Sequence, residues 1–261
     1  MNLKTGEKCD GESSGVTASP ECDARTNPAM IIGLLIVCLL AGMVFVACNA
    51  KDKAPVAVTA PAEVINLDEL KAKAESGDAE AQMKLGVAYS KGDVLKLDYK
   101  EAANWYRKAS EQGHAGAQNA IGELYEAGQG VVRDEKEAAS WYRRSAEQGL
   151  PAGQYSLAVM YLMGNGVTKD DAEALKWYHA SADQGYALAI FHLGMRYKKG
   201  QGVTQDPTEA YKWLNLAAAR GIAEATDILN EVKRTMTREQ IAEGKRRAEA
   251  FVEKKFTPPS K

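Results

Sequence analysis

The fold is decided by a 36-residue stretch, GHAGAQNAIGELYEAGQGVVRDEKEAASWYRRSAEQ, which spans residues 113–148. Its pattern recurs along the chain at a step of 36 residues. The tryptophan of this stretch belongs to the series Trp105, Trp141, Trp177 and Trp213, and its first glycine to the series Gly77, Gly113, Gly149, Gly185 and Gly221. Self-similarity at this period indicates a solenoid, in which each unit packs mainly on its neighbours. The sequence therefore predicts an extended surface built from repeated units.

Each repeat unit is predicted to be a pair of helices. Small and apolar side chains fall on one helical face at Ala117, Ile121, Gly122 and Tyr125. The first helix stops at Gly128, since glycine permits the positive φ of a helix C-cap. The second helix opens with Asp134 and carries Glu137 three residues later, which is an N-cap pattern. The other copies repeat this pair at Asp98/Glu101, Asp170/Glu173 and Asp206/Glu209. No stretch alternates with a period of two, so strands are not indicated.

Small residues recur in the middle of the first helices, at Gly86, Gly122, Ala158 and Gly194. Glycine in a helix interior costs about 1 kcal/mol relative to alanine, so its repetition in register requires a packing reason. We expect that no side chain fits here between the paired helices. The Trp-Tyr pairs of the second helices are expected to lie in the core.

The pattern resembles the Sel-one-like repeat (SLR), a longer relative of the tetratricopeptide repeat. In the second copy the matching positions are Ala117, Ile121-Gly122, Tyr125, Gly128-Gln129-Gly130-Val131, Asp134, Ala138, Trp141-Tyr142, Ala146 and Gly149. The resemblance implies an all-α, right-handed α/α solenoid of 36-residue helix-turn-helix repeats with N- and C-terminal capping helices. It also implies a scaffold that holds a protein partner. One branch of the family staples its hairpins with cysteines, but this chain has no cysteine after Cys48, so the cell-wall-related activities of that branch are not expected.

The predicted organisation has four parts. They are a polar N-terminal extension 1–29, a signal or membrane segment 30–48, an Ala/Pro-rich tether 49–66, and a solenoid 67–256. The solenoid is divided into repeats 77–112, 113–148, 149–184 and 185–220, a half-repeat 221–235 and a capping helix 237–255. A capping box at Thr237 and Gln240 is predicted to open the last helix, which turns Ile241, Ala248, Phe251 and Val252 to one side. A lone helix from Asn66 to Ser76 is expected to cap the other end.

The apolar segment supports two predictions about membrane attachment. Residues 30–47 are eighteen uncharged, mostly apolar residues, long for a signal h-region and marginal for a membrane span. Cys48 follows directly and resembles a bacterial lipobox cysteine, which predicts a lipid-anchored protein of the bacterial cell envelope that faces the periplasm. The long acidic extension before the segment, and Lys51 and Lys53 after it, favour instead a single-pass anchor with the repeats in the cytoplasm. The lipoprotein is the favoured prediction, because the cysteine falls at the correct end of the apolar run and a tether follows; the single-pass anchor is the alternative.

Charge argues against a nucleic-acid partner. The chain has 33 basic and 35 acidic residues, and the five basic and seven acidic ones before residue 67 leave 28 of each from residue 67 onward. A nucleic-acid binder shows a basic excess on one face. The local excess of basic residues in 232–261 is interpreted as a solvated face, with phosphate or lipid contact as the alternative. Protein partners, as a peptide or helix, are therefore expected, with no nucleic acid and no small-molecule substrate.

The sequence offers no catalytic constellation. His114, His179 and His192 are expected to be exposed polar positions, because none pairs with another metal-ligating residue outside the repeat pattern. The Gly128-Gln129-Gly130 motif is expected to be a turn, since no strand precedes it as in a phosphate loop. No cofactor, no metal and no enzymatic activity are therefore predicted. The alternative is an envelope hydrolase that acts on peptidoglycan or a related polymer.

Candidate partner-binding residues come from the first helices, which line the concave surface in related solenoids. The side chains that point away from the packed face are Glu80, Lys84, Val87, Lys91; Gly116, Ala120, Glu123, Ala127; Ala152, Ser156, Val159, Met163; and Leu188, His192, Met195, Lys199. Copies three and four are the more apolar. The candidate groove consists of Tyr155, Val159, Met163, Leu188, Phe191, His192 and Met195, and it could accept a helix or extended peptide. The alternative is that these side chains fill contacts between repeats.

Overall fold

The computed structural model describes residues 66–251 and contains, within them, eleven α-helices and no β-strand. The helices are α1 Leu67–Glu75, α2 Ala79–Lys91, α3 Tyr99–Glu111, α4 Ala115–Ala127, α5 Glu135–Glu147, α6 Pro151–Met163, α7 Asp171–Asp183, α8 Ala187–Lys199, α9 Pro207–Ala219, α10 Ala223–Arg234 and α11 Arg238–Glu249. The prediction of an all-α solenoid of helical hairpins is confirmed. The predicted extension 1–29, the segment 30–48 with its Cys48, and nearly all of the tether 49–66 lie outside the described residues.

Every second helix of a full repeat begins at an aspartate. The Asp134 carboxylate accepts hydrogen bonds from the backbone N–H groups of Lys136 and Glu137, at 2.9 and 3.1 Å. These N–H groups have no partner within the helix, and the carboxylate also interacts favourably with the helix dipole. The same arrangement opens α3, α7 and α9, at Asp98, Asp170 and Asp206. The predicted caps at Asn66 and at the Thr237–Gln240 box are also confirmed.

Close approach within each hairpin depends on the small residues of the first helix. A Cβ atom on Gly122 would lie 2.7 Å from the ring of Tyr142, closer than any normal contact. A Cβ atom on Gly86 would lie 2.5 Å from the ring of Tyr106, and one on Gly194 would lie 2.7 Å from the side chain of Leu214. The expectation that no side chain fits is wrong for the third repeat, where the methyl group of Ala158 is fully buried. The Tyr178 ring of that hairpin stacks on His192, with centroids 5.5 Å apart and planes 16° apart.

Contacts between successive repeats explain the second glycine of each turn. Gly130 has φ +69°, and a Cβ atom there would lie 2.1 Å from the carbonyl oxygen of Tyr99. A Cβ atom on Gly166 would likewise lie 2.0 Å from the carbonyl oxygen of Glu135. The turns of the second and third repeats therefore lie directly on the backbone at the start of the preceding second helix, whereas a Cβ atom on Gly202 would lie 3.1 Å from Asp171 Cβ. In the first repeat Val94 takes this position and is 48% exposed, so the steric demand for glycine is absent there.

The tryptophans join successive hairpins. Trp141 packs in the hydrophobic cluster that contains Ala103 and Tyr106 of the preceding hairpin. Trp141 and Trp213 are buried, as predicted, whereas Trp105 and Trp177 remain half-buried. The large indole rings therefore fill the space between neighbouring second helices.

The last helix ends earlier than the predicted range 237–255. α11 ends at Glu249, and Phe251 follows after a turn. Its ring meets the Trp213 ring edge-on, with centroids 5.6 Å apart. Phe251 therefore lies just beyond the helix, but it packs with Ile241 against the core of the last hairpin and Ala248 is buried, as predicted; Val252 lies outside the described residues.

Candidate interaction surface

The first helices α2, α4, α6 and α8 form one face of the stack, called here the inner face. Helices α4 and α6 contact each other directly, whereas successive second helices contact each other less. Side chains also cross between first helices: His114 Nε2 lies 3.1 Å from Glu80 Oε2, and Tyr155 Oη lies 3.2 Å from His192 Nε2. The contact between α4 and α6 and these two side-chain contacts join the first helices into one face.

An aromatic cluster occupies the inner face where α6 meets α8. The ring centroid of Tyr155 lies 5.3 Å from that of Tyr186 and 5.7 Å from that of His192. Phe191 meets His192 edge-on at 5.7 Å, and Tyr178 lies 5.8 Å from Tyr155. Tilted and edge-on pairs at these separations are the arrangement that aromatic rings prefer. The cluster gives this part of the inner face a rigid aromatic floor.

The seven residues of the predicted groove do not share one environment. The structure brings Tyr155, Phe191 and His192 together in the aromatic cluster, although Phe191 is only 9% exposed. Val159 and Met195 pack against the core with part of their surface exposed, and Leu188 is half-buried. Met163 is 62% exposed at the end of α6. Their role in partner binding stays a prediction.

The expectation that the three histidines are exposed is wrong, because each is half-buried. His114 is the N-cap of α4, and its Nδ1 accepts a hydrogen bond from the Ala117 N–H at 3.1 Å. His179 packs edge-on against Trp213 at 5.6 Å and lies 3.4 Å from Tyr197 Oη. The imidazole of His179 reaches these neighbours from a position that Arg107, Arg143 and Asn215 occupy in the other repeats. Both side chains are thus part of the repeat packing.

His192 is the histidine of the aromatic cluster. Burial lowers the pKa of its imidazole to about 4, and the nearby positive charge of Arg196 acts in the same direction. The imidazole is therefore neutral at neutral pH and packs as an aromatic ring between Tyr155 and Tyr178. This is the opposite of a solvated, chargeable surface histidine.

A polar trio lies on α4, in the middle of the inner face. Asn119 Nδ2 donates a hydrogen bond to Glu123 Oε1 at 2.7 Å, and Tyr142 Oη donates one to Glu126 Oε2 at 2.7 Å. Neither carboxylate forms an ion pair with a lysine, arginine or histidine of the described residues. Burial raises the pKa of the Glu123 carboxyl to about 7; the Asn119 hydrogen bond opposes this rise, and the charge of Glu126 adds to it. The trio therefore holds two carboxyl groups that no cation of the described residues pairs with, and burial favours the protonated form of Glu123.

The trio was not predicted from the sequence, although its residues differ from those of the other copies at all three positions. Where the second repeat has Asn119, the others have Met83, Tyr155 and Phe191; where it has Glu123, they have Val87, Val159 and Met195; where it has Glu126, they have Ser90, Leu162 and Lys198. Two of the three positions are thus apolar in every other copy. Polar residues at half-buried, otherwise apolar positions are the informative exception on a protein surface.

The described residues show neither a metal-binding cluster nor a phosphate-binding loop. Within 66–251 no group of three or more His, Cys, Asp or Glu side chains is arranged to hold a metal ion. The Gly128-Gln129-Gly130 motif is a turn after a helix, as predicted, with both glycines at positive φ. None of the helices in this part of the chain has the length and apolar character needed to cross a membrane.

Comparison with known proteins supports this description of the repeats. The family model described as Sel1 repeat matches residues 79–114, 115–150, 151–186 and 187–222. The chain is 47% identical over 45 residues to the secretory immunoglobulin A-binding protein EsiB of Escherichia coli, a match that covers 17% of this chain and 9% of that protein.

Two solved structures are also similar. A protective antigen of uropathogenic Escherichia coli strains, which displays an SLR fold, is 38% identical with a TM-score of 0.64 over 71% of this chain and 41% of the antigen chain. A Sel1 repeat protein from Oxalobacter formigenes is 29% identical with a TM-score of 0.60 over 71% of this chain and 79% of that one. The chain therefore spans less than half of the antigen chain and a small part of the immunoglobulin-binding protein.

Proposed function

The chain belongs to the Sel1 repeat family, and on this premise we propose that it is a scaffold that binds a protein partner through its inner face. The observation that carries the proposal is the surface where α6 meets α8. Rigid aromatic rings lie there beside half-exposed Val159 and Met195 and the exposed Met163. Aromatic and methionine side chains are enriched at protein interfaces, and methionine adapts to the shape of a partner.

The relatives support a protein as the class of partner. The name of the Escherichia coli relative states that it binds secretory immunoglobulin A. The match covers 45 residues, which is little more than one repeat, so it supports protein binding and gives no reason to transfer the same partner. The repeats themselves favour an elongated partner, since a solenoid presents an extended surface.

We propose that the protein acts as a scaffold and not as an enzyme. In support of this, the histidines of the described repeats are engaged in capping or ring packing, and no described residues form a metal-ligating group. The hydrolase alternative predicts turnover of peptidoglycan fragments by the purified full chain. Turnover that survives purification and is lost in an inner-face variant would overturn the scaffold proposal.

We also propose that the solenoid is tethered to a membrane through segment 30–48, with acylated Cys48 as the anchor. The proposal rests on the sequence of this segment, with a single-pass anchor as the alternative. The intact mass of the protein extracted from its native membrane distinguishes them. A chain that begins at Cys48 with added acyl mass supports the lipoprotein, whereas an unlipidated chain that begins at Met1 or Met30 contradicts it.

Affinity capture from native membranes tests the inner face as the binding surface. Replacing Val159 and Met195 together with aspartate should remove the captured partner, and Met163→Asp should weaken capture without affecting the fold, because Met163 is exposed. Ser140→Asp on α5, which is also exposed, is the matched control and should retain the partner. Thermal unfolding of each variant accompanies the capture.

Two outcomes contradict this proposal. The first is unchanged capture by the stable Met163→Asp variant and by any double variant that remains folded. The second is a double variant that loses its thermal stability while Met163→Asp captures normally, which would show that these side chains fill contacts between repeats.

A further inference from the structure

Resting on the proposed function, we propose that the partner binds as an amphipathic helix whose apolar stripe is bordered by lysine or arginine. The apolar stripe covers a surface formed by Val159, Met163, Leu188 and Met195 on α6 and α8, called here the apolar surface. The cations at its borders meet carboxylates on the neighbouring helices α4 and α10. The proposal thus specifies the form and the charge of the partner segment.

The apolar surface is open to a partner and rests on a rigid base. Met163 is 62% exposed, and Val159, Leu188 and Met195 each keep part of their surface exposed. The aromatic cluster beside them is held by contacts between its own rings, whereas unbranched methionine side chains can adapt to a partner. Apolar side chains that are exposed side by side mark an interaction surface.

The form of the partner segment follows from the two helices that make the surface. Val159 and Met163 lie four residues apart on α6, as do Leu188 and His192 on α8, so each helix presents a row of side chains along one face. A partner helix packs against such rows through anchors at positions i, i+3, i+4 and i+7. Residues 66–251 contain no β-strand, so an extended segment would leave its backbone groups without partners on this apolar surface.

Helix α10 continues the inner face beyond α8. Ile228 of α10 packs in the same hydrophobic cluster as Phe191 of α8. On the surface, the Lys198 ammonium group of α8 forms an ion pair with Glu231 of α10. The apolar surface therefore has α10 as its neighbour on one side.

The side chains of α10 at this border are acidic. Glu224 and Asp227 follow Leu188 and Phe191 by 36 residues, so they take the same two positions of the repeat. Both are exposed, and neither forms an ion pair with any residue in the described part of the chain. One border of the apolar surface therefore carries two solvated negative charges that are free to meet a cation.

Helix α4 borders the apolar surface on the other side through Glu126. Its carboxylate accepts a hydrogen bond from Tyr142 Oη at 2.7 Å and has no cationic partner within the described repeats. Burial is the main cause that raises the pKa of Tyr155, and the negative charge of Glu126 contributes to the rise. Glu126 is therefore within electrostatic range of the aromatic cluster. Carboxylates thus lie on both sides of the apolar surface, on two different helices.

The cations near the apolar surface leave these borders negative. Lys198 is paired with Glu231, and the buried Arg196 guanidinium donates a hydrogen bond to the carbonyl oxygen of Gln201 at 2.9 Å. The exposed Lys199 is the last residue of α8, about 16 Å along the helix axis from its first turn. The screening length at physiological ionic strength is about 8 Å. Complementary charge therefore favours a partner helix with cations at its borders, and it also steers the approach of that helix.

The test is the binding of a helical probe peptide of about 18 residues, long enough to hold its helix, to the full chain in phosphatidylcholine nanodiscs. The probe has a leucine stripe bordered by lysines, and fluorescence anisotropy follows its binding. We expect saturable binding that weakens as salt is added. A peptide with the same stripe and glutamate borders should bind about tenfold more weakly or less. A peptide of the same composition without a stripe should not bind, and empty nanodiscs correct for adsorption to lipid.

Two double variants locate the contact. Glu224→Gln with Asp227→Asn should weaken binding of the lysine-bordered probe by about fivefold without weakening the glutamate-bordered one. Both residues are exposed, so the fold is retained. Glu111→Gln with Glu147→Gln removes the same charge from exposed positions of α3 and α5 and should leave binding unchanged. Met163→Asp should weaken binding of both probes, because it places a charge on the apolar surface.

Four outcomes overturn the inference. The first three are equal binding of the lysine-bordered and glutamate-bordered probes, equal losses in the two double variants, and tight binding of the peptide without a stripe. The fourth is a dimer of the full chain that dissociates on Met163→Asp, which would make a second copy the occupant.

The outcome for the scaffold proposal is read separately, from capture of the native partner. Failure of the probe experiments while Met163→Asp still weakens capture would reject the basic helix and leave the scaffold proposal standing. Probe binding as expected, with capture unchanged by Met163→Asp, would instead reject the inner face as the surface that binds the native partner.

Discussion

The inner face has opposite chemistry in the second repeat and in the third and fourth. The second repeat places Asn119, Glu123 and Glu126 where its neighbours place Tyr155, Val159 and Leu162, on helices with the same length and the same glycine C-cap. The framework of both repeats is identical, with an aspartate at the start of the second helix and a glycine on the preceding backbone. The comparison therefore separates residues that build the repeat from residues that are free to differ.

The two regions also respond to pH in opposite directions. In the second repeat the pKa of Glu123 is raised to about 7 in the folded protein. As pH rises, the unfolded chain therefore releases this proton at a lower pH than the folded protein does. Stability is then lost as pH rises from about 4.5 to 7. In the fourth repeat the pKa of His192 is lowered to about 4 in the folded protein. As pH falls, the unfolded chain therefore binds a proton at a higher pH than the folded protein does. Stability is then lost as pH falls from about 6.5 to 4.

The largest expected effect comes from breaking the framework that both repeats share. Gly130→Ala should destabilise the protein by about 3 kcal/mol or more, because a Cβ atom would lie 2.1 Å from the carbonyl oxygen of Tyr99 and φ is +69°. Gly113→Ala is the matched control, since its φ is +86° but nothing lies within 4 Å; it should cost about 1–2 kcal/mol. Urea unfolding followed by circular dichroism measures both. Equal losses would contradict the backbone contact.

The next effect concerns the charge of the second repeat. Glu123→Gln should stabilise the protein by about 1–2 kcal/mol above pH 7 and change little below pH 4.5, because it removes a half-buried carboxylate with a raised pKa. The measurement is the urea midpoint at several pH values, with the exposed Glu147→Gln as control. A loss of stability at high pH would show that Glu123 is already paired.

The corresponding experiment in the fourth repeat has the opposite sign. Between about pH 6.5 and 4, His192→Gln should reduce the loss of stability by about 1–2 kcal/mol. The reason is that the lowered pKa of His192 no longer contributes to this loss. Above pH 7 the variant should be less stable than the native protein, since the stacking on Tyr178 is lost. An unchanged pH profile would contradict the buried, neutral imidazole. Imidazole resonances followed by NMR give the same pKa directly.

The smallest effect distinguishes how the two regions begin their first helices. His114 caps α4 with its side chain, whereas Leu150 at the same position of α6 makes no side-chain cap. His114→Ala should therefore cost about 0.5–1 kcal/mol through the lost cap. Leu150→Ala removes no cap and shows what trimming the position alone costs. Thermal unfolding compares them, and a cost at His114 no larger than that at Leu150 would reject the capping role.

The sequence predicted the repeat framework because the 36-residue period exposes every shared constraint several times. Asp134 and Gly130 are examples, since each has counterparts that do the same work. Features that occur once were missed. His114 as a cap, the aromatic setting of His192 and the turn before Phe251 depend on particular neighbours in space. A single occurrence gives no period from which to recognise them.

The candidate site was predictable in part for the same reason. The family resemblance placed the first helices on the concave surface, and the aromatic character around Tyr155 follows from their composition. The trio on α4 was visible only as a departure from the repeats, and the burial that makes Glu123 unusual required the structure. Phe191 shows the converse, since an aromatic residue on the expected face is 9% exposed.

Site-specific photo-crosslinking in the native host tests the inner face most directly. A photoreactive residue at position 159 or 195 should form an adduct with a protein partner, and one at position 123 should form an adduct with the same partner. The same residue at position 140, on the exposed surface of α5, should form none. Adducts from position 140 alone, with none from the inner face, would contradict a partner-binding role for the first helices.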